Sequence, residues 1–547
     1  MSWRSKTIFI PLLLVIIAGG AYLRLAHLDR QSFWVDEMNH VVAAQSLLRG
    51  EGAVFPSGLP YTRSLLFTKL VAYSFAFFGV SEFSARFPGA IFGVLSIPLV
   101  YFIARRMFRH AGIGLIAAFL QAFAPFNIGW SRVSRMYAIF QFFFLLAVYA
   151  IYEGAEGSRL KPAANSHAGK LRRLVAKWNI DFFWLGIAVI ALGAATYLQV
   201  LSGVLLPGLV LYFLLMIFGV ALGKGVKSAL TSKYVFYLII VIISTAAIVS
   251  LAPEILVQAR EAMNFSPNWA QYDYVQNPFY YLWFLTSNFY FTIAAFFVIG
   301  VVMAIAELRK PALYLLVLFL VPLGLLSTVF ALKVERYIFH LFPLFLIIAA
   351  YGAVKLFKHA VAVGKDTQQQ YFLPSFWSSP LLAKLVIGAV FLCILGASDW
   401  LRFARKIPSL RTGTNGAVTH EEWREACDFV RRERLEAQPV ISTVPVAVYY
   451  YLGHIDYFLA SMESPRDEEI VKKNGTTIDY YSNANIIDTV EDLQRLMQLQ
   501  PRGWLILDLY RLGETRYVRP AVKEFIQREL QCRYMTPEKT IAIYCWG

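Results

Sequence analysis

Apolar runs long enough to cross a bilayer recur along most of this chain, from Thr7–Leu23 to the stretch ending near Leu395. About 18 or more consecutive apolar residues are needed for a helical crossing, and a chain with many such runs cannot fold as a soluble globule. Composition agrees: 58% of the 547 residues are hydrophobic, where soluble domains use about 45–50%. The fold class expected is an α-helical polytopic membrane protein.

The formal charge of +16 invites a nucleic-acid reading, but Lys and Arg gather in the loops between apolar runs, where the positive-inside rule puts them. No basic domain or nucleic-acid motif accompanies them. Arg4 and Lys6 before Thr7–Leu23 read as an uncleaved first span with a cytoplasmic N-terminus. Two apolar stretches then compete, Ser64–Val80 and Phe87–Ala104. If both crossed, Arg105-Arg106-Met107-Phe108-Arg109-His110 and the basic linker Glu153–Asp181 would fall outside, against the charge rule. Lys69 lies in the middle of the first stretch, and a lysine at mid-bilayer costs about 2.5–3.5 kcal/mol even on insertion scales. Ser64–Val80 is therefore read as an interfacial helix. Spans are expected near 87–104, 112–129, 136–152, 182–198, 203–219, 234–251, 281–305, 312–331, 337–355 and 381–397, about eleven with the first. Residues 1–397 form the transmembrane domain, with its first external loop at 24–86.

Residues 398–547 change character. Helical periodicity at Glu421–Arg434, Thr489–Leu499 and Val518–Leu530 is interleaved with short apolar runs at Val440–Val444, Trp504–Leu507 and Thr540–Tyr544, the pattern of a small α/β domain. The topology puts it on the extracytoplasmic side. Tyr449-Tyr450-Tyr451 before Gly453 reads as the end of a core helix or as a rim for a glycan. The four cysteines make no metal-ligand pattern; Cys393 lies in an apolar run, and one disulfide among Cys427, Cys532 and Cys545 is compatible with the spacing.

Chemistry concentrates at the outer edges of the spans. Phe33-Trp34-Val35-Asp36-Glu37-Met38-Asn39-His40 follows the first span and sets two carboxylates at the bilayer edge, where ionisable groups are costly and functional by default. The bland alternative is a helix start, since carboxylates suit the positive N-terminal dipole. Ser131-Arg132-Val133-Ser134-Arg135-Met136-Tyr137 joins two spans on the same side. Interfacial arginines commonly snorkel; two within four residues can also grip a phosphate, because guanidinium donors match phosphate oxygens in pairs. Lys333-Val334-Glu335-Arg336-Tyr337-Ile338-Phe339-His340 is a second such boundary. Glu82 and Arg86, spaced i, i+4, are expected to pair.

A carboxylate can serve as general base for an acceptor hydroxyl, and arginines can stabilise a departing lipid phosphate. Several pieces resemble the GT-C glycosyltransferases, specifically the group of protein O-mannosyltransferases and lipid A aminoarabinose transferases: Trp34-Val35-Asp36-Glu37, Ser81-Glu82-Phe83-Ser84-Ala85-Arg86-Phe87-Pro88, Ser134-Arg135-Met136-Tyr137-Ala138 and Glu335-Arg336-Tyr337, in the family's order over roughly the first 350 residues. The resemblance implies a polyprenyl-phosphate-sugar donor, inversion at the anomeric carbon, and Asp36, with Glu37 beside it, as the catalytic pair. It implies Arg135, Tyr137 and Arg336 at the donor phosphate, with Arg132, Arg63 and His40 completing the candidate set. The acceptor is a glycan, lipid or protein; nucleic acid is not a partner.

The chain departs from the aminoarabinose transferases before the interfacial helix. Their acidic-Lys-Pro element is replaced by Tyr61-Thr62-Arg63-Ser64-Leu65, so no metal is carried over. Asp36 and His40 alone make two ligands, short of the usual three or so. Other classes stay open: a transporter or flippase of lipid-linked sugars, which would want polar residues inside spans, where only Gln121, Gln141 and Gln199 are scattered; a scaffold; and a polymerase or ligase moving glycans from lipid diphosphate.

Overall fold

The computed structural model describes residues 3–157, 181–251, 253–264, 277–287, 290–371, 420–435, 438–463, 469–473 and 475–547. Two units emerge. One comprises Met1–Ala26, Gly89–Ser131 and Met136–Pro408, the other His27–Pro88, Arg132–Arg135 and Ser409–Gly547. The second thus takes in the first loop and the Arg132–Arg135 turn along with the C-terminal stretch.

The first unit is helical. Among the described residues, five helices are long and apolar enough to cross a bilayer: Glu82–Phe108, Tyr137–Glu156, Val200–Lys224, Lys310–Thr328 and Phe342–His359. The count becomes seven if Ala111–Phe123 with Pro125–Ser131, and Tyr280–Thr286 with Phe291–Ala306, are each taken as one span. The first of these pairs bends by 56° at the Ala124–Pro125 junction, where proline has no N–H to continue the ladder. The apolar run alone had suggested one straight span there. Shorter apolar helices at Phe9–Leu25, Phe182–Leu198 and Lys233–Ala247 occupy three more expected spans; the span expected at 381–397 lies outside the described residues.

Small residues let these helices approach closely, as they do in bilayers. A Cβ on Gly352 would come within 2.1 Å of the Phe296 carbonyl oxygen, and one on Gly300 within 2.3 Å of that of Ile348. Gln121, Asn127 and Gln141 inside the unit are bonded to one another. Gln121 Nε2 donates to Gln141 Oε1 at 2.9 Å, Asn127 Nδ2 donates to Gln121 Oε1 at 2.9 Å, and Gln141 Nε2 donates to the Phe339 carbonyl at 2.6 Å. A buried network satisfied in this way locks packing. Arg24, fully buried at the end of α1 (Trp3–Leu25), donates to the carbonyls of Ala122 and Gln121 at 2.8 and 2.9 Å.

The second unit contains an eight-stranded sheet in the order β3-β4-β5-β2-β1-β6-β8-β7, with β1 Val440–Ser442, β2 Tyr457–Leu459, β3 Ile470–Lys473, β4 Thr476–Asp479, β5 Asn485–Ile487, β6 Gly503–Asp508, β7 Gln531–Met535 and β8 Ile541–Trp546. β5, β2, β1 and β6 run parallel and the remaining pairs antiparallel. Helices at Pro445–Leu452 and Val490–Leu499 lie between parallel strands in the chain, as crossovers require. Ile441, Leu505 and Leu507 from the strands pack with Leu493, Leu496, Val522 and Ile526 from the helices in one buried cluster. All six residues of β6 are buried, as expected of a central parallel strand. The α/β expectation for the C-terminal stretch holds, down to the helices at Trp423–Glu433, Val490–Leu499 and Pro520–Glu529.

The cysteine expectation resolves by register. Gln531 pairs with Cys545 and Cys532 with Tyr544. Successive residues on a strand face opposite sides, so Cys532 and Cys545 project from opposite faces. Cys427 is buried on the helix Trp423–Glu433, and all three are free thiols.

Candidate functional site

α2 (Val35–Leu48) opens with both acidic residues in its first turn. Glu37 is at its third position and reaches back: its Oε2 accepts from the Trp34 backbone N–H at 2.9 Å, the return half of a capping box. The same carboxylate is fully buried and meets Arg86, also buried, on α4 (Glu82–Phe108). Arg86 Nε donates to Oε1 and Nη2 to Oε2, both at 2.9 Å. This is the bidentate fork that makes Arg–carboxylate pairs strong. A fourth donor, the Ser134 backbone N–H, reaches Oε1 at 2.5 Å. Burial works to raise the Glu37 pKa, but the Arg86 guanidinium and the N–H donors more than offset it and hold the carboxyl below its usual range.

Arg86 spends its remaining donors on the loop before α2. Nη1 donates to the carbonyls of Leu28 and Gln31 at 3.0 and 2.8 Å, and Nη2 to that of Ser32 at 2.9 Å. The expected Glu82–Arg86 pair is therefore corrected. The long-range partner Glu37 outcompetes the i, i+4 neighbour, because a buried guanidinium gains more from a fully desolvated, bidentate carboxylate than from a one-turn helical contact, which is worth only about 0.2–0.5 kcal/mol. Glu82 instead bonds Arg424 and the Tyr451 hydroxyl, Arg424 Nε at 3.0 Å and Tyr451 Oη at 2.8 Å.

Asp36, next to this anchor, points the other way. Its side chain is 34% exposed, and Arg135, at 13%, lies with Nη2 at 3.7 Å from Oδ2. Arg135 Nη1 also donates to the Asp36 backbone carbonyl at 2.9 Å. Glu37 thus ties together the turn that carries Asp36 and, through Ser134, the turn that carries Arg135. Arg132, in that same turn, donates to the His27 carbonyl at 3.1 Å. Burial, and then the positive charge of Arg86, pull its pKa down to about 10, with Asp29 opposing.

His40 is fully buried. Its Nδ1 lies 2.9 Å from Thr68 Oγ1 on α3 (Leu65–Phe78), and the Tyr61 hydroxyl lies 3.2 Å from Nε2. Burial, with the guanidiniums of Arg135 and Arg63 adding to it, pushes its pKa well below the ordinary value, so His40 is a neutral, internally bonded imidazole. Arg63 is exposed. Among the described residues no three His, Cys, Asp or Glu side chains gather as a metal would need. Asp36 faces Arg135 while His40 faces Thr68 and Tyr61.

Tyr137 and Arg336 belong to the other unit. Tyr137 is buried against Trp130, with ring centroids 5.0 Å apart. Arg336 sits in the 3₁₀ turn Glu335–Ile338, which the Tyr280 hydroxyl holds by donating to Glu335. His340 is buried against Phe140 and Phe144, at 4.8 and 4.7 Å between ring centroids.

Residues that the sequence did not single out complete the scaffold around Asp36. His420 Nδ1 lies 2.8 Å from the Ser32 carbonyl and 3.6 Å from Glu37 Oε2. Arg424 donates to Glu82 and, through Nη2, to the Asp29 carbonyl at 2.8 Å. Tyr451 lies in the last turn of the helix Pro445–Leu452. Its signal was visible only as an aromatic triplet, which names no partner.

A protein-family profile described as dolichyl-phosphate-mannose-protein mannosyltransferase matches residues 63–163. The undecaprenyl phosphate-alpha-4-amino-4-deoxy-L-arabinose arabinosyl transferase of Pseudomonas aeruginosa PAO1 is 29% identical over 151 residues, 27% of this chain and 27% of its own length. That of Pseudomonas paraeruginosa PA7 matches to the same extent. The sequence match thus spans about a quarter of these relatives. Structural likeness extends much further. ArnT from Cupriavidus metallidurans in the apo state superposes with a TM-score of 0.57 at 15% identity, covering 99% of this chain and 98% of that one. The archaeal oligosaccharyltransferase AglB from Archaeoglobus fulgidus, solved with an inhibitory peptide and a dolichol-phosphate, gives 0.60 at 11% identity, covering 99% of this chain and 74% of that one. Over its whole length the chain thus has the fold of ArnT and AglB, and over residues 63–163 it is similar in sequence to the mannosyltransferase profile.

Proposed function

We propose that the protein is an integral-membrane glycosyltransferase that moves a sugar from a polyprenyl-phosphate donor to an acceptor hydroxyl on the extracytoplasmic face, inverting the anomeric carbon. The observation that carries this reading is the partly exposed Asp36 carboxylate held beside Arg135 by a fully buried anchor. The names of the relatives add to it: one is an undecaprenyl-phosphate-dependent transferase, and ArnT has also been solved bound to undecaprenyl phosphate.

In the proposed reaction the acceptor oxygen attacks the anomeric carbon and the bond from that carbon to the phosphate oxygen breaks. The electron pair leaves with the polyprenyl phosphate, and the hydroxyl proton passes to Asp36 as general base. A single displacement inverts the centre. Arg135 orients Asp36, and with Arg132 and Arg63 it is a candidate for the phosphate charge that develops on the leaving group. Glu37 has another task. With four donors already on its two oxygens, it anchors the site and does not react. His40, neutral and bonded internally, holds α2 to α3.

The test is transfer by the purified protein from a panel of synthetic polyprenyl-phosphate sugars, with the product's anomeric configuration read by NMR. Transfer with inversion from at least one donor is expected. Tight donor binding without transfer to any acceptor would move the reading to a transporter, and activity only with lipid diphosphates would move it to a polymerase or ligase.

A further inference from the structure

Three residues of the C-terminal stretch, His420, Arg424 and Tyr451, take up the polar groups of the loop that delivers Asp36. The Tyr451 hydroxyl accepts from the Phe33 backbone N–H at 2.8 Å and donates to Glu82 at 2.8 Å. The Arg424 backbone N–H donates to Ser32 Oγ at 3.1 Å, while its guanidinium holds both Glu82 and the Asp29 carbonyl. His420 donates from Nδ1 to the Ser32 carbonyl, the same oxygen that receives Arg86 Nη2. The Phe33 ring is fully buried, edge-on to Tyr450 at 5.3 Å and under the Arg86 guanidinium at 5.1 Å. Residues 28–33 thus carry no regular secondary-structure ladder of their own; side chains from α4 and from residues 420–451 replace it. Every one of these contacts lies within the unit that contains Asp36.

We propose that His420, Arg424 and Tyr451 are positioning residues for the transfer reaction, and that through them the C-terminal α/β portion sets Asp36 against Arg135. The inference rests on the reading of Asp36 as the base. The pairing of charges supports it: Glu37 is matched by Arg86 and Glu82 by Arg424, and Arg135 faces Asp36. Misplacement by about 1 Å can cost a hundredfold in rate, so a loop held by residues 420–451 gives the C-terminal portion direct control of turnover.

The discriminating variant is Tyr451→Phe in the full-length protein. It keeps the ring and removes the one atom that joins Phe33 to Glu82. Expected is a fall in kcat of about tenfold or more, with the KM for the lipid-linked donor unchanged and the melting temperature of the detergent-solubilised protein within a few degrees. A residue acting through Asp36 also couples to it, so Tyr451→Phe should remove little of the residual activity left in Asp36→Asn. Unchanged kcat, or losses that simply multiply in the double variant, would overturn the proposal. If Tyr451→Phe does not fold, His420→Gln decides by the same readouts, since it keeps a polar side chain of similar reach beside Glu37 while displacing the imidazole donor to Ser32. A wild-type and Asp36→Asn pair that are equally active would defeat the base assignment; a dead Asp36→Asn beside a fully active Tyr451→Phe defeats this proposal alone.

Discussion

Removing the charge of Glu37 should be the most damaging conservative change in the chain. Glu37→Gln retains shape but leaves Arg86, 2% exposed, buried without a counter-charge, and turns an amide N–H₂ toward donors that need an acceptor. Breaking a buried ion pair by removing one partner costs about 3–5 kcal/mol. Three of the four donors on Glu37 come from outside its own turn, so the upper part of that range applies. The exposed pair Arg49–Glu51, at 53% and 51% exposure, provides an internal scale, because surface pairs contribute only about 0–1 kcal/mol. The assay is thermal unfolding of the solubilised protein, followed by labelling of Cys427, a thiol buried in the same unit. Glu37→Gln should lower the labelling midpoint far more than Arg49→Ala does. Replacing both partners, Glu37→Met with Arg86→Met, should recover part of the loss, since no lone charge then remains buried. Equal midpoints for Glu37→Gln and Arg49→Ala would refute the anchoring role.

Further outcomes follow from the charges around the site. His420 is held down to about 4, by burial first and by Arg86 against the pull of Glu37. Its contribution to stability should be present above about pH 6.5, its unfolded value, and be lost as pH falls toward 4; His420→Gln should flatten that part of an acid titration of the melting temperature. Asp479 is the opposite case. Burial raises it to about 7, so its contribution is fully present below about pH 3.9, its unfolded value, and is lost as pH rises through 7. Asp479→Asn should therefore stabilise the protein more at pH 8 than at pH 5, read as the difference in melting temperature from wild type at each pH. Arg135→Lys should lower kcat, since an ammonium lacks the planar fork that reaches both the Asp36 carbonyl and its carboxylate. Mass spectrometry without reductant should find Cys427, Cys532 and Cys545 free, and dithiothreitol should leave the melting temperature unchanged; a Cys532–Cys545 bridge would contradict the strand register.

What the sequence made legible divides by range. Apolar runs and the α/β alternation after residue 420 rest on local periodicity, and they located the spans at Tyr137–Glu156 and Lys310–Thr328 and the strands at Val440–Ser442 and Gly503–Asp508. The acidic pair was visible because carboxylates at a span edge are costly. Its division of labour was not. Nothing local distinguishes Asp36 from Glu37; only Arg86, 49 positions away, makes one an anchor and leaves the other open. The same blindness paired Glu82 with Arg86 by helical spacing, when Glu82 is claimed by Arg424 and Tyr451, more than 340 residues downstream. Pro125 did carry the signal for the broken helix at Ala124, and it was overridden by the apolar run on either side.

Asp36→Asn is the most direct test of the whole account. The exchange keeps volume and the surrounding hydrogen bonds while removing basicity, and Glu37 with its partners stays intact. Sugar transfer from a polyprenyl-phosphate donor that the wild type uses should fall by about a hundredfold or more, the usual scale of general-base catalysis, with the melting temperature unchanged. Full transfer by a folded Asp36→Asn protein would contradict the assignment of Asp36 as base.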